Sequence, residues 1–203
     1  MKKLLLTLAT VCLLPFAALA AKYEEGKHYE VIAQAATAKP EVKEFFSYYC
    51  PHCFQFEPII KDLKKKLPEG VNLDKVHVNF LPPRKPEQAN LLTKALASAQ
   101  LLKVEEQVSA KIFEAIHVKK QQNFTESGIQ GMFAAVGIDE KRFASVFNSF
   151  MVNGQVGQMA KAQKEAQIRG VPAVIVNGKY RVLGGVATTE EYIELVNHLT
   201  TLK

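Results

Sequence analysis

The chain has 203 residues, of which 48% are hydrophobic, and its 26 Lys and Arg outnumber 20 Asp and Glu to give a formal net charge of +6. A chain of this length and composition can bury a core without covalent staples, which argues against a small disulfide-held scaffold. The basic runs at 64–66 and 119–120 contain no interleaved aromatic residues. We therefore expect solvated helix faces there and no nucleic-acid partner.

The N-terminus has the pattern of a secretory signal peptide: a charged start, an apolar run over residues 4–19 and the A-x-A cleavage site Ala18-Leu19-Ala20. The apolar run is too short for a membrane-spanning helix. We predict that residues 1–20 are removed on export, which takes away Cys12 and leaves two cysteines in the mature chain. No second apolar stretch of about 18 residues follows, so we expect no membrane span.

The first half of the mature chain alternates strands with one helix. Residues 29–32 read as a short strand and residues 41–46 as a buried strand, followed by a helix over 54–67 whose Pro58 predicts a kink. Residues 75–80 alternate as the next strand. Strand, helix and strand in this order predict a right-handed parallel crossover.

The middle of the chain shows no strand signal. Apolar stripes at helical spacing begin at Leu91, Val104, Ile129 and Phe143, and a fifth helical stretch runs toward Ile168. Asp139 is a predicted N-cap. The phenylalanines of this region are expected to pack in its core, although one or two could line a peptide groove: Phe113, Phe124, Phe133, Phe143, Phe147 and Phe150.

Strand patterns resume near the C-terminus. Residues 173–176 and 179–183 flank Asn177-Gly178, a pair typical of a type I′ hairpin turn. Thr188 with Glu191 forms a predicted capping box that opens the last helix. The order of elements predicts an α/β protein in which helices flank a mixed sheet and an all-helical region is inserted between the strands.

The motif Cys50-Pro51-His52-Cys53 lies at the junction of a predicted strand and a predicted helix. Two cysteines at this spacing can form a small disulfide ring, and the positive end of the helix favours a thiolate at the first of them. Proline suits the first helical position, where its missing N–H would have no partner. With no other cysteine in the mature chain, this pattern predicts a redox-active pair. The motif offers three soft ligands where a structural zinc site takes four, so we expect no metal.

The segments around this motif carry a resemblance to a known family. They are FFSYYCPHCFQFE at 45–57, KLPEGV at 66–71, HVNF at 77–80 and RGVPA at 169–173. They resemble the DsbA family of bacterial periplasmic thiol:disulfide oxidases, within the thioredoxin superfamily. The resemblance covers essentially the whole mature chain and implies a thioredoxin-like fold at 21–82 and 159–203 with an inserted helical domain at 83–158. Two segments, 81–86 and 183–186, depart from the family pattern.

The resemblance implies roles for the four residues of the motif. Cys50 is the exposed attacking thiol, and Cys53 is the more buried resolving thiol. Pro51 and His52 tune the pair, and His52 also contacts substrate. An imidazole in the first turn can hydrogen-bond to the Cys50 thiolate or lie beside it as a cation.

The resemblance also implies roles for five residues outside the motif. Val171 and Pro172 are joined by a cis peptide bond next to the cysteines, where the Val171 backbone pairs with an extended substrate. Pro172 therefore belongs to both the catalytic and the substrate-binding set. Glu44, Glu57 and Lys75 are charged groups beneath the active site that tune it, although without the resemblance they would equally fit ordinary surface charge.

The function implied by the resemblance is a monomeric periplasmic oxidase that donates its Cys50–Cys53 disulfide to newly exported, unfolded proteins. A quinone-linked inner-membrane partner of the DsbB type would reoxidise it, and it would need no cofactor besides its own disulfide. Two alternatives remain open. The first is a reductase or isomerase that runs the same exchange in the opposite direction, and the second is a redox-inert module that binds peptides or carries metal.

Overall fold

The computed structural model describes residues 22–82 and 85–203, so the predicted signal peptide at 1–20, with Cys12, lies outside it. The strands are β1 (Tyr29–Val31), β2 (Glu41–Phe46), β3 (Asn72–His77), β4 (Ala173–Val176) and β5 (Tyr180–Val182). They form one sheet in the order β1-β5-β4-β2-β3. Only β2 and β3 are parallel neighbours among these strands, so the sheet is mixed as predicted.

Helices pack around this sheet. They are α1 (Pro51–Lys66), α2 (Pro86–Leu101), α3 (Glu105–Phe113), α4 (Glu126–Ala134), α5 (Glu140–Phe147), α6 (Phe150–Glu165) and α7 (Thr189–Thr200), and a π-helical turn, Glu114–Val118, continues α3. No strand occurs between β3 and β4 in the part of the chain that the structure describes, which agrees with a helical insertion. The domain boundary predicted at 158/159 falls inside α6. None of the described helices is both long and apolar enough to cross a membrane.

Local signals set several element boundaries. Asp139 Oδ1 accepts the Arg142 N–H at 2.8 Å and caps α5, and Thr188 Oγ1 accepts the Glu191 N–H at 3.1 Å and caps α7. The Glu191 carboxylate accepts a hydrogen bond from the Ala187 N–H at 2.7 Å. A capping box predicts the N–H of the N-cap residue, Thr188, as the donor, so the observed donor is one residue earlier. The turn between β4 and β5 has positive φ at both central positions, as a type I′ turn requires: Asn177 at 54° and Gly178 at 63°.

The predicted bounds of the third strand are wrong. The sequence pattern placed it at 75–80, whereas β3 spans Asn72–His77. The reason is its partner: β2 pairs with β3 residue by residue from Glu41–Asn72 to Phe46–His77. One further bond, from the Val78 N–H to the Phe46 oxygen at 2.8 Å, extends the ladder before the chain turns away.

The loop at 183–186 packs against the segment that precedes β1. The Leu183 N–H donates to the His28 oxygen at 2.8 Å. Gly185 has a φ of +69°, and a Cβ at this position would lie 2.8 Å from the Lys27 oxygen. Glycine is therefore required here for both its backbone conformation and its close approach.

Buried hydrophobic residues form two clusters. The larger joins the C-terminal end of β2 and the active-site cysteines to the helical region, and the smaller joins α1 and α7 to the rest of the sheet. Five of the six phenylalanines expected in the helical core are buried. Phe150 is the exception, with 91% of its surface exposed. It is the first residue of α6, where Val152 and Met159 are the buried residues, so its ring projects into solvent.

Candidate active site

Cys50 is the N-cap residue of α1, with an extended backbone conformation (φ −88°, ψ 115°), and Pro51 is the first residue of that helix. The Cys50 Sγ accepts the Cys53 N–H at 3.3 Å, which satisfies one of the free amides at the helix N-terminus. Both cysteines are free thiols in the structure. The expectation of an exposed Cys50 is wrong for this structure: Cys50 is buried, with 6% of its surface exposed, because the chain at Val171 lies against it. Cys53 is 0% exposed, so Cys50 is still the one that a substrate can reach first.

The segment before β4 lies directly against Cys50. The Cys50 thiol donates to the Val171 carbonyl oxygen at 3.5 Å, and the Val171–Pro172 peptide bond is cis, as the resemblance implies. β2 and β4 are antiparallel neighbours that bring Phe45 opposite Ala173, which explains this approach. A surface cleft of about 390 Å³ lined by Pro172, Ala173 and Arg181, among others, adjoins the site.

His52 and Pro51 are exposed on the first turn of α1. Both side chains are therefore accessible to a molecule that approaches Cys50. Within residues 22–82 and 85–203, no group of three or more His, Cys, Asp or Glu side chains is arranged to hold a metal ion.

Glu44, Glu57 and Lys75 come together as the resemblance implies. Glu44 is fully buried on β2, with Lys75 Nζ 3.0 Å from its Oε2, and Lys75 also forms an ion pair with Glu57. Beyond this ion pair with Lys75, neither Glu44 oxygen has a hydrogen-bond partner in the described structure. Burial raises the pKa of Glu44 to about 7, and the charge of Lys75 opposes this rise.

Cys53 differs from Cys50 in its electrostatic surroundings. Burial raises the pKa of the Cys53 thiol well above its ordinary value, the hydrogen bond to Cys50 adds to the rise, and the charge of Glu44 contributes further. The Ser47 backbone opposes the rise. Cys53 is therefore held as a neutral thiol, so release of its proton requires an acceptor. Glu44 has a pKa suited to exchange a proton near neutral pH.

Sequence reasoning did not identify the two histidines that hold Tyr48, which lies just before the motif. The Tyr48 N–H donates to His77 Nε2 at 3.2 Å, so the proton of the neutral His77 ring is on Nδ1, which donates to Thr93 Oγ1 at 2.8 Å. Burial lowers the pKa of His77 to about 3 and keeps it neutral. His117 Nε2 donates to the Tyr48 carbonyl oxygen at 2.8 Å. No local pattern could have revealed these contacts, because the partners are 29 and 69 positions apart.

Comparison with known proteins decides the family. The family model for the DSBA-like thioredoxin domain matches residues 41–193. The chain is also 40% identical to the thiol:disulfide interchange protein DsbA of Escherichia coli, over an alignment of 213 positions that covers all of both chains. The chain belongs to the DsbA family. It is a protein thiol:disulfide oxidoreductase, which confirms the enzyme class predicted from the sequence.

Solved DsbA structures confirm the thioredoxin-like fold. DsbA from Proteus mirabilis is 34% identical, with a TM-score of 0.78 over 88% of this chain and 97% of that chain. A second Proteus mirabilis structure is a cysteine-to-serine variant of DsbA with a non-covalently bound peptide, PWATCDS. It is 34% identical and has a TM-score of 0.79, over 89% of this chain and 100% of that chain.

Proposed function

We propose that this DsbA-family protein is a periplasmic dithiol oxidase that donates a Cys50–Cys53 disulfide to newly exported proteins. The observation that carries the proposal is the position of the Cys50 Sγ at the N-terminus of α1, 3.3 Å from the Cys53 N–H. Helix N-termini and backbone amides stabilise a thiolate. Whatever stabilises the thiolate of the reduced form makes the disulfide a stronger oxidant, because the pair releases free energy when it is reduced.

The exchange proceeds through a mixed disulfide. A substrate thiolate attacks the Cys50 sulfur, the Cys50–Cys53 bond breaks, and the electron pair leaves on Cys53. A second substrate thiolate then attacks the substrate sulfur and releases Cys50, so that the substrate is oxidised and the enzyme is reduced. The buried Cys53 takes up a proton, since burial raises its pKa. We assign the proton exchange to Glu44, tuned by Lys75 and Glu57.

The substrate-binding residues of the proposal are Val171, Pro172 and His52. The Val171 carbonyl already contacts the Cys50 thiol, and His52 is exposed on the first turn of α1. An extended peptide that pairs with the Val171 backbone would place its cysteine next to Cys50. The peptide bound to Proteus mirabilis DsbA supports a peptide substrate of this kind.

The setting of this function rests on the N-terminal pattern and the family. Residues 1–20 match a secretory signal, so we place the mature protein in the periplasm. We propose that it acts as a monomer and that a DsbB-type, quinone-linked inner-membrane protein reoxidises it. The redox-active disulfide serves as its only redox group, with no added cofactor.

Disulfide donation to a reduced, unfolded protein tests the proposal. The oxidised enzyme should transfer its disulfide stoichiometrically, Cys50→Ser should abolish transfer, and Cys53→Ser should retain the Cys50 thiol without transferring a disulfide. Inner membranes should reoxidise the reduced enzyme only when they contain quinone. A protein that reduces insulin efficiently but donates no disulfide would instead be a reductase.

A further inference from the structure

The peptide unit between Tyr48 and Tyr49 is held at both of its ends. The Tyr48 carbonyl accepts a hydrogen bond from His117 Nε2 at 2.8 Å, and the Tyr49 N–H donates to Ser47 Oγ at 3.2 Å. The Cys50 N–H donates to the Ser47 carbonyl oxygen at 3.0 Å and closes the turn. The orientation of this single peptide unit therefore determines how the chain enters Cys50.

His117 contacts the chain on both sides of the motif. Its ring is stacked on that of Phe54, the residue after Cys53, with centroids 5.0 Å apart and planes inclined by 7°. His117 lies in the π-helical turn Glu114–Val118, which interrupts the regular spacing after α3. Short π-helical turns are often found at functional sites. The helical region thus makes two contacts next to the motif. One is a hydrogen bond to the segment before it, and the other is a ring contact with the first turn of α1.

We propose that His117 is a positioning residue for the dithiol. By holding the Tyr48 carbonyl, it keeps Cys50 where its Sγ receives the Cys53 N–H. The proposal rests on the proposed exchange at Cys50 and Cys53. Without the donor on His117, the peptide unit between Tyr48 and Tyr49 can rotate toward other donors such as water. The Cys50 thiolate then loses part of its stabilisation, whereas the disulfide, which needs no donor, loses little.

Two variants separate the hydrogen bond of His117 from its packing. His117→Phe keeps an aromatic ring against Phe54 but has no donor, and His117→Gln restores an N–H donor without the ring. The matched control is His28→Ala. His28 is a buried histidine whose Nδ1 accepts the Glu24 backbone N–H at 2.9 Å, so its contact is with the N-terminal segment and not with the motif.

The measurement is the equilibrium of the full mature protein with reduced and oxidised glutathione. We expect His117→Phe to shift this equilibrium toward the oxidised enzyme by roughly three- to tenfold, the range expected for one hydrogen bond. The equilibrium constants of His117→Gln and His28→Ala with glutathione should each remain within about twofold of the wild-type value.

An equilibrium for His117→Phe that matches His28→Ala would overturn the proposal, and so would a failure of His117→Gln to restore the wild-type value. If His117→Phe does not fold, His117→Ala serves under the same criteria, since it introduces no larger side chain. A wild-type protein that does not exchange with glutathione would overturn the proposed function itself. Exchange in the wild type with no effect of the His117 variants would overturn the positioning role alone.

Discussion

Glu44 is completely buried, and beyond its ion pair with Lys75 its carboxyl oxygens have no hydrogen-bond partner in the described structure. Burial raises the pKa of Glu44 from its ordinary value of 4.5 to about 7. The charge of Lys75 opposes this rise, and the charge of Glu57 adds to it. Burial also lowers the pKa of Lys75, but the two carboxylates outweigh this and raise it overall. Near neutral pH, Glu44 can therefore hold or release a proton while Lys75 stays charged.

Glu44→Gln should increase the free energy of unfolding at pH 8. Folded Glu44 keeps its proton up to about pH 7, whereas the unfolded carboxyl loses it near 4.5. The stability that this group contributes is thus present below pH 4.5 and is lost as the pH rises through about 7. The difference between the variant and the wild type should grow by on the order of 3 kcal/mol over this window. Urea unfolding of the reduced proteins at several pH values measures it.

Glu41→Gln is the control for this experiment. Glu41 is on the same strand, but it is partly exposed and paired with Lys43, and such pairs contribute little to stability. This variant should therefore keep the pH dependence of the wild type. If Glu44→Gln also keeps it, burial does not raise the Glu44 pKa as described.

Pro172→Thr should trap complexes between the enzyme and its substrates. Proline has no N–H, and Thr adds an N–H and a hydroxyl beside the segment that contacts Cys50. We expect these donors to stabilise the mixed disulfide and slow its resolution. Non-reducing gels of cell extracts should show new adducts that disappear on reduction. Pro40→Thr, at an exposed loop proline, is the control, and equal adduct levels in the two variants would contradict the role of Pro172.

Several helix starts are set by a side chain one residue before the helix. α1, α5 and α7 each begin after a residue whose side chain accepts a hydrogen bond from the first turn: Cys50, Asp139 and Thr188. Asp139 and Thr188 are standard capping residues. Cys50 performs the same task with a sulfur atom, so the cap of α1 and the reactive group of the enzyme are one side chain.

Asp139→Ala should lower the free energy of unfolding by about 1 kcal/mol, because α5 loses the acceptor for the Arg142 N–H. Asp139→Asn should restore most of the loss, since an amide oxygen can accept the same bond. Ser145→Ala is the control within α5, where the hydroxyl only bonds back to the Arg142 oxygen. Denaturant unfolding measures all three, and equal stabilities for the alanine variants would show that the cap contributes nothing.

At the scale of the whole molecule, one core cluster joins the helical region to the active site. It contains Phe46 and Cys53 from the sheet and α1 together with Phe113 and Phe133 from the inserted helices. Tyr48 extends this link, since its hydroxyl bonds Ser109 Oγ of α3 at 2.8 Å. Because these contacts are continuous, we expect the two regions to unfold together.

Phe133→Ala should destabilise the protein by about 3–5 kcal/mol, as expected for removing a fully buried ring. The loss of helical circular dichroism and the exposure of the buried Cys53 thiol to a labelling reagent should shift to the same lower denaturant concentration. Labelling is measured in a Cys50→Ser background, so that Cys53 is the thiol that reacts with the reagent.

Phe150→Ala is the matched control, because its ring is 91% exposed. The loss of helical circular dichroism and the labelling of Cys53 should occur at the same denaturant concentrations as in the parent protein. Loss of helical signal before Cys53 becomes reactive would show that the helical region unfolds separately.

Much of the fold could be predicted because its signals act over a few residues. The N-cap at Asp139, the Asn177-Gly178 turn and the placement of Pro51 at the start of α1 each depend on neighbours within one turn of chain. Phe150 shows the limit of such reasoning. Its residue type favoured burial, but the orientation of α6 against its neighbours left it in solvent.

The chemistry of the protein can be derived from its amino-acid sequence: the paired cysteines at the start of α1, the proline at 172 and the family that these residues indicate. Which distant groups surround these residues depends on the packing of the folded chain. The bounds of β3 follow from its pairing with β2, and the Tyr48 carbonyl finds its donor on His117 in the inserted helices. Such contacts join residues far apart in the chain, and their geometry exists only after the sheet and helices have packed, so no local pattern encodes them.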